Sequence, residues 1–220
     1  MKLSKNTLAI LKNCSSINTN LMIKEGNVVS TISPSKWIYS EYQIEESFPQ
    51  DFGIYDLHEF ISVISIFSDP DIEFDGSVMY ISEGKNKIRY GSADAGVLIA
   101  PKSSPKFPPA PDVCFELSKE NLAQITRAAS ILKVPFVSIV GEDGVISIVV
   151  LDKTNPNSNQ FMIEVGQTEY TFTVNLKVEL MKMMPETYEV CMSSDKRACK
   201  LVGEDKLYLL AWETDSTFTK

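Results

Sequence analysis

Leu3-Ser4-Lys5-Asn6-Thr7-Leu8-Ala9, set above Leu117-Ser118-Lys119-Glu120-Asn121-Leu122-Ala123, gives five identities in seven, and the same offset of 114 pairs Ser16 with Ser130 and Ile17 with Ile131. In a chain of 220 residues that offset is about half the length, which marks an internal duplication. Between the copies lies Pro101-Lys102-Ser103-Ser104-Pro105-Lys106-Phe107-Pro108-Pro109-Ala110-Pro111, a proline-rich connector. The expected organisation is a domain over 1–100, a connector over 101–111 and a second domain over 112–220.

Each copy opens on a helix, because Ser4 and Ser118 are good N-caps and the residues after them follow helical spacing. Strand-like runs come next. They are Leu21–Lys24, Val28–Ile32, Trp37–Ile44 and Phe48–Ile54 in the first half, and Phe136–Val140, Val145–Leu151, Gln160–Val165 and Glu169–Val174 in the second. Gly141-Glu142-Asp143-Gly144 is a hairpin signal. A second helix is expected in each half, over Asp56–Phe67 and over Asn175–Met184, the latter stopped by Pro185. Further strands close each half, at Ile72–Phe74, Val78–Ser82 and Lys87–Tyr90, and at Tyr188–Met192, Ala198–Val202 and Leu207–Trp212. A helix followed by strands, four times over, defines a β-rich α+β chain of two similar domains.

Apolar residues make up 44% and charged residues 23%, the composition of a soluble folded protein, and the longest apolar run, Val145–Leu151, is too short to span a bilayer. No membrane partner is expected. Cys14, Cys114, Cys191 and Cys199 lack C-x-x-C spacing and are read as buried or partly buried free thiols in a reducing cytoplasm. His58 is the sole histidine, and no triad, zinc set or phosphate-cradling glycine loop is present in the sequence, so neither catalysis, a metal nor a cofactor is expected.

The net charge of −8 argues against a nucleic-acid partner, but its distribution argues for one. Residues 1–24 hold Lys2, Lys5, Lys12 and Lys24 with no acid, and 118–133 hold Lys119, Arg127 and Lys133 against Glu120 alone. On helical wheels, Lys5 and Lys12 lie opposite Thr7, Ile10, Leu11 and Cys14. Lys119, Arg127 and Lys133 lie opposite Asn121, Ile125, Ala128 and Leu132. Cations on a helix, without interleaved aromatics, suit sequence-independent contact with phosphate oxygens. The fourth expected helix adds Lys177 and Lys182, interrupted by Glu179, and the second carries Asp56 and Glu59. Two other readings stay open on residues alone: a single-strand binder stacking bases on Trp37, Tyr39 and Tyr42, and a structural β-sandwich assembly protein.

Met1-Lys2-Leu3-Ser4-Lys5, Leu11-Lys12-Asn13, Ile17-Asn18, Ile54-Tyr55-Asp56-Leu57, Phe107-Pro108, Met181-Lys182-Met183 and Glu213-Thr214-Asp215-Ser216-Thr217 run in one order along the whole chain. Together they resemble the sliding clamps of T-even-type bacteriophages. The resemblance implies two domains of two β-α-β-β-β modules each, in a ring of three subunits with helices inside around duplex DNA and sheets outside. It matches Lys5, Lys12, Arg127 and Lys182 to basic positions of inner helices. It also implies an ATP-dependent loader and a hydrophobic pocket for a C-terminal peptide of the replicative polymerase. Candidates for that pocket are Trp37, Leu98, Ile99, Pro101, Phe107, Pro108, Ala211 and Trp212. A role in late transcription and a place in the cytoplasm of an infected bacterial host follow from the same resemblance.

Overall fold

The computed structural model describes residues 1–219, and the chain divides into two compact units, Met1–Ser104 and Pro105–Lys220. The division falls inside the proline-rich segment 101–111.

The first unit opens with α1 (Lys5–Ile17), followed by β1 (Leu21–Ile23), β2 (Gly26–Ile32), β3 (Ile38–Phe48) and β4 (Phe52–Ile54). α2 (Leu57–Ile64) comes next, then the meander β5 (Asp71–Asp75), β6 (Val78–Glu83) and β7 (Asn86–Gly91). β1 pairs antiparallel with β4, from Leu21 opposite Ile54 to Ile23 opposite Phe52, so it is not half of a hairpin with β2, which pairs with β3. The core gathers α1 and α2 over these sheets, with Ile10, Leu11, Tyr42, Phe52, Leu57 and Phe60 almost fully buried.

The second unit holds β8 (Val113–Leu117), α3 (Lys119–Leu132), β9 (Phe136–Glu142), β10 (Val145–Leu151), β11 (Phe161–Gln167), β12 (Thr171–Lys177), β13 (Tyr188–Ser193), β14 (Ala198–Val202), β15 (Lys206–Ala211) and β16 (Thr217–Thr219). One sheet runs β11-β10-β9-β12-β16, and β15-β14-β13-β8 form a second run of antiparallel neighbours. The β9–β10 hairpin turns at Asp143 and Gly144, both with positive φ, 51° and 85°, as the hairpin signal requires.

The duplication is visible at the helix caps. Ser4 Oγ accepts from Thr7 N–H and Ser118 Oγ from Asn121 N–H, each at 3.1 Å, with both cap residues extended.

Two expectations are corrected. The first is the fourth helix, because 175–184 form no α-helix. Residues 172–177 are taken up by the ladder with β9, which pairs Leu176 with Val137 and Lys177 with Phe136. Seven residues then remain before Pro185, and they make only a 3-10 turn at Val178–Leu180 without a side-chain N-cap. Met184 N–H donates to Tyr208 Oη, and Tyr188 Oη donates to Met184 C=O, so the tyrosines satisfy backbone groups that a helix would have used. α2 forms because Asp56 accepts from His58 and Glu59 N–H. The chain therefore has three α-helices among its described residues, and the last of its four modules lacks one.

The second correction concerns the thiols. Cys114 on β8 and Cys191 on β13 are register partners with Cα atoms 4.2 Å apart, and they form a disulfide. Cys14 and Cys199 are buried free thiols, as expected, and burial pushes each up to about 12.

Candidate nucleic-acid interface

α1 buries Thr7, Ile10, Leu11, Cys14 and Ile17, which leaves Lys5, Lys12 and Ser16 exposed on the opposite face. At 1.5 Å per residue, the two lysines stand about 10 Å apart along the helix axis. Both line a groove of about 220 Å³ against α2, whose apolar floor includes Leu3, Leu8, Ile61, Ile64 and Phe67.

The start of α1 is anchored from β3. The Glu46 carboxylate accepts from Ser4 N–H and from Thr7 Oγ1. Burial alone would raise this carboxyl, but the hydrogen bonds from Thr7 and Ser4 outweigh it and hold it below its ordinary 4.5. A folded-state pKa below the unfolded one means the stabilisation is full above about pH 4.5 and is lost as pH falls through the folded value. Glu46→Gln is therefore expected to cost about 1–2 kcal/mol in denaturant unfolding at pH 7, and the gap from wild type should narrow in acid. An undiminished gap at pH 3 would contradict this anchoring.

α3 buries Leu122, Ile125 and Ala129 and exposes Lys119, Arg127, Thr126 and Ser130. Its buried stripe is turned relative to the expected one: Asn121, Ala128 and Leu132 are only half-buried. Among the described residues of this unit no second α-helix packs over it, so Ile131 is 66% exposed and a groove of about 640 Å³ opens beside Leu122, Arg127, Met181 and Met183. Lys133 ends the helix as an exposed C-cap residue in the left-handed region, φ 53°.

Ion pairing separates the seven expected DNA-facing cations. Among the described residues, no carboxylate lies within ion-pair distance of Lys5, Lys12, Lys119, Arg127 or Lys133. Lys2 is bound to Asp69, and Lys24 to Asp51 at 2.6 Å. Lys177 lies at the end of a strand, 3.8 Å from both Glu179 and Glu213, and Lys182 is half-buried just after the 3-10 turn. Neither stands on a helix, so the expected basic face of a fourth helix is not formed.

The expected peptide-pocket residues are scattered through the two units. In the first, Leu98 packs on Gly53, where a Cβ would sit 2.9 Å from Leu98 Cδ1, while Trp37 and Pro101 are half-buried. Ile99, 43% exposed, lies near Tyr55 and Val97, 63% and 58% exposed, and Asn20 bridges the patch by accepting from Ile99 N–H and donating to Tyr55 C=O. In the second unit Phe107 and Pro108 are half-buried, with Lys200 Nζ 5.9 Å from the Phe107 ring. Ala211 closes β15. Trp212 is corrected to a core residue, 4% exposed, with its indole N–H on Cys199 Sγ at 3.2 Å. Tyr39 and Tyr42 are buried too, 4% and 0% exposed, which removes the stacking platform that a single-strand binder would need.

This fold, two β-rich units each carrying near its start a serine-capped helix whose exposed cations have no carboxylate within ion-pair distance among the described residues, is that of the DNA clamps. Solved clamps from distant sources share it at 13% identity: the PCNA2-PCNA3 complex of Sulfolobus tokodaii, with TM-score 0.68 over 94% of this chain and 95% of that one, and A. fulgidus PCNA bound to the C-terminal region of FEN-1, with TM-score 0.67 over 96% of each. The family model for the DNA polymerase processivity factor matches residues 2–99, and that for the gp45 sliding clamp C terminal matches 114–214. The sliding clamps of Escherichia phage RB69 and Enterobacteria phage T4 are each 31% identical to it, over 99% of both chains. The chain belongs to this family of phage sliding clamps, the processivity factors of DNA polymerase.

Proposed function

We propose that three copies of the chain close into a ring around duplex DNA, with α1 and α3 turned toward the phosphates. The observation that carries this reading is the set of five helix cations, Lys5, Lys12, Lys119, Arg127 and Lys133, with no described acid partner in a chain of net charge −8. Such cations attract phosphates without reading bases, so a linked ring is held topologically and slides. Acid elsewhere repels DNA from the remaining surface. Base-edge contacts worth roughly 1–3 kcal/mol each would arrest sliding.

The clamp catalyses nothing itself in this reading. An ATP-dependent loader opens it, and a C-terminal polymerase peptide seats on the apolar patch of Leu98, Ile99, Val97 and Tyr55, with Trp37 and Pro101 of the same unit as further candidates. It works in the cytoplasm of an infected bacterial host, where the family resemblance extends its role to late transcription. Size-exclusion chromatography with light scattering tests the ring: the expected mass is near three times 24.6 kDa, and a monomer at micromolar concentration would contradict it.

A further inference from the structure

We propose that the Cys114–Cys191 bridge is a surface thiol–disulfide exchange site, entered at the Cys114 sulfur and reversible without unfolding. Cys114 and Cys191 are directly opposed on β8 and β13, and their side chains lie off the face of β8 that buries Val113, Phe115 and Leu117. The two sulfurs differ in access, since Cys114 is exposed and Cys191 is 8% exposed. An incoming thiolate therefore reaches Cys114 first and displaces Cys191. On the next strand, Lys200 is the register partner of Cys191, so the two side chains leave the same face of the sheet.

The opposite flank is acidic. Glu116 and Glu189 are register partners next along the same two strands, both exposed, and the Glu189 carboxylate lies within 4.8 Å of both sulfurs. An anionic thiol is slowed there relative to a neutral one.

The step balances as an exchange. A thiolate of a neutral dithiol attacks Cys114 Sγ, the Sγ–Sγ bond breaks, and Cys191 leaves as a thiolate that takes up a proton. The second thiol of the reagent then attacks its own sulfur in the mixed disulfide and releases Cys114. Two electrons and two protons pass to the protein, and glutathione disulfide reverses the change, giving two glutathione thiols. The backbone ladder also ties β8 to β13, and β8 leads through Ser118 into α3, so the strand stays paired when the bridge opens.

Alkylation with iodoacetamide, read by mass spectrometry on the full chain, tests the proposal. Protein purified without reductant and then denatured should take two labels, on Cys14 and Cys199. Native protein treated with dithiothreitol should take two labels on Cys114 and Cys191, with Cys14 and Cys199 protected. Glutathione should react more slowly than dithiothreitol and give its mixed disulfide at Cys114, and Glu116→Gln with Glu189→Gln should speed glutathione by on the order of three- to tenfold at low salt. Four labels without reduction, simultaneous labelling of Cys199 on native reduction, or an adduct at Cys191 would each overturn the proposal. Circular dichroism of the Glu→Gln variant confirms its fold, and an unchanged glutathione rate in folded variant would equally count against the acidic flank.

Discussion

Reversing one cation on each capped helix, Lys12→Glu with Arg127→Glu, is expected to abolish productive loading on DNA while leaving the fold and subunit assembly intact. Both side chains are exposed and neither pairs with a carboxylate among the described residues, so the exchange breaks no ion pair described there. Two charge-assisted phosphate contacts at about 1.5 kcal/mol each amount to a loss on the order of 100-fold per chain. The log–log salt slope of DNA binding should flatten by about 0.9 for each phosphate contact removed. Processive primer extension in the presence of polymerase and loader reads the first effect, and a salt titration reads the second. Wild-type processivity in the double variant would show that α1 and α3 do not face DNA. Lys177→Glu should matter far less, since that lysine already sits between Glu179 and Glu213.

A second large effect is expected from Cys114→Ser with Cys191→Ser. The bridge joins residues 77 apart in sequence, and closing a loop of that length stabilises the folded state by about 4 kcal/mol through the entropy it removes from the unfolded chain. Denaturant unfolding followed by two probes should show the transition of the second unit shifted and that of the first unmoved. Reduced wild type should match the double-serine variant. Equal stability of variant and oxidised wild type would mean that the bridge contributes nothing.

Much of the architecture was legible because it is local. The serine caps at positions 4 and 118, the Asp143-Gly144 turn and the Asp56-capped second helix depend on residues within a few positions, and each forms as their chemistry directs. The apolar content of 175–184 suited a helix equally well, but ladder pairing to β9 and the hydroxyls of Tyr188 and Tyr208 decided otherwise. Tertiary contacts overrode propensity there. The disulfide was hidden for a similar reason. It requires the register of β8 with β13, and β8 is a five-residue strand that spacing alone does not reveal. Glu46 carries no local signal for its place beneath the first helix, 42 residues from Ser4.

Of the candidate interface, the cations of α1 and α3 could be read from helical periodicity, whereas those of 177–182 could not, because their positions depended on a helix that does not form. The cations are thus unevenly distributed over the helices, with two on α1 and two on α3, an acidic-capped α2 and no fourth α-helix among the described residues.

Topological linkage to DNA is open to one direct measurement. The protein is loaded onto nicked circular DNA with the ATP-driven loader, separated from free protein, and the DNA is then cut at one site. Retention on the circle followed by rapid loss from the linear form is the predicted result, with loss prevented when both ends are blocked. Equal retention on circle and line would contradict the account.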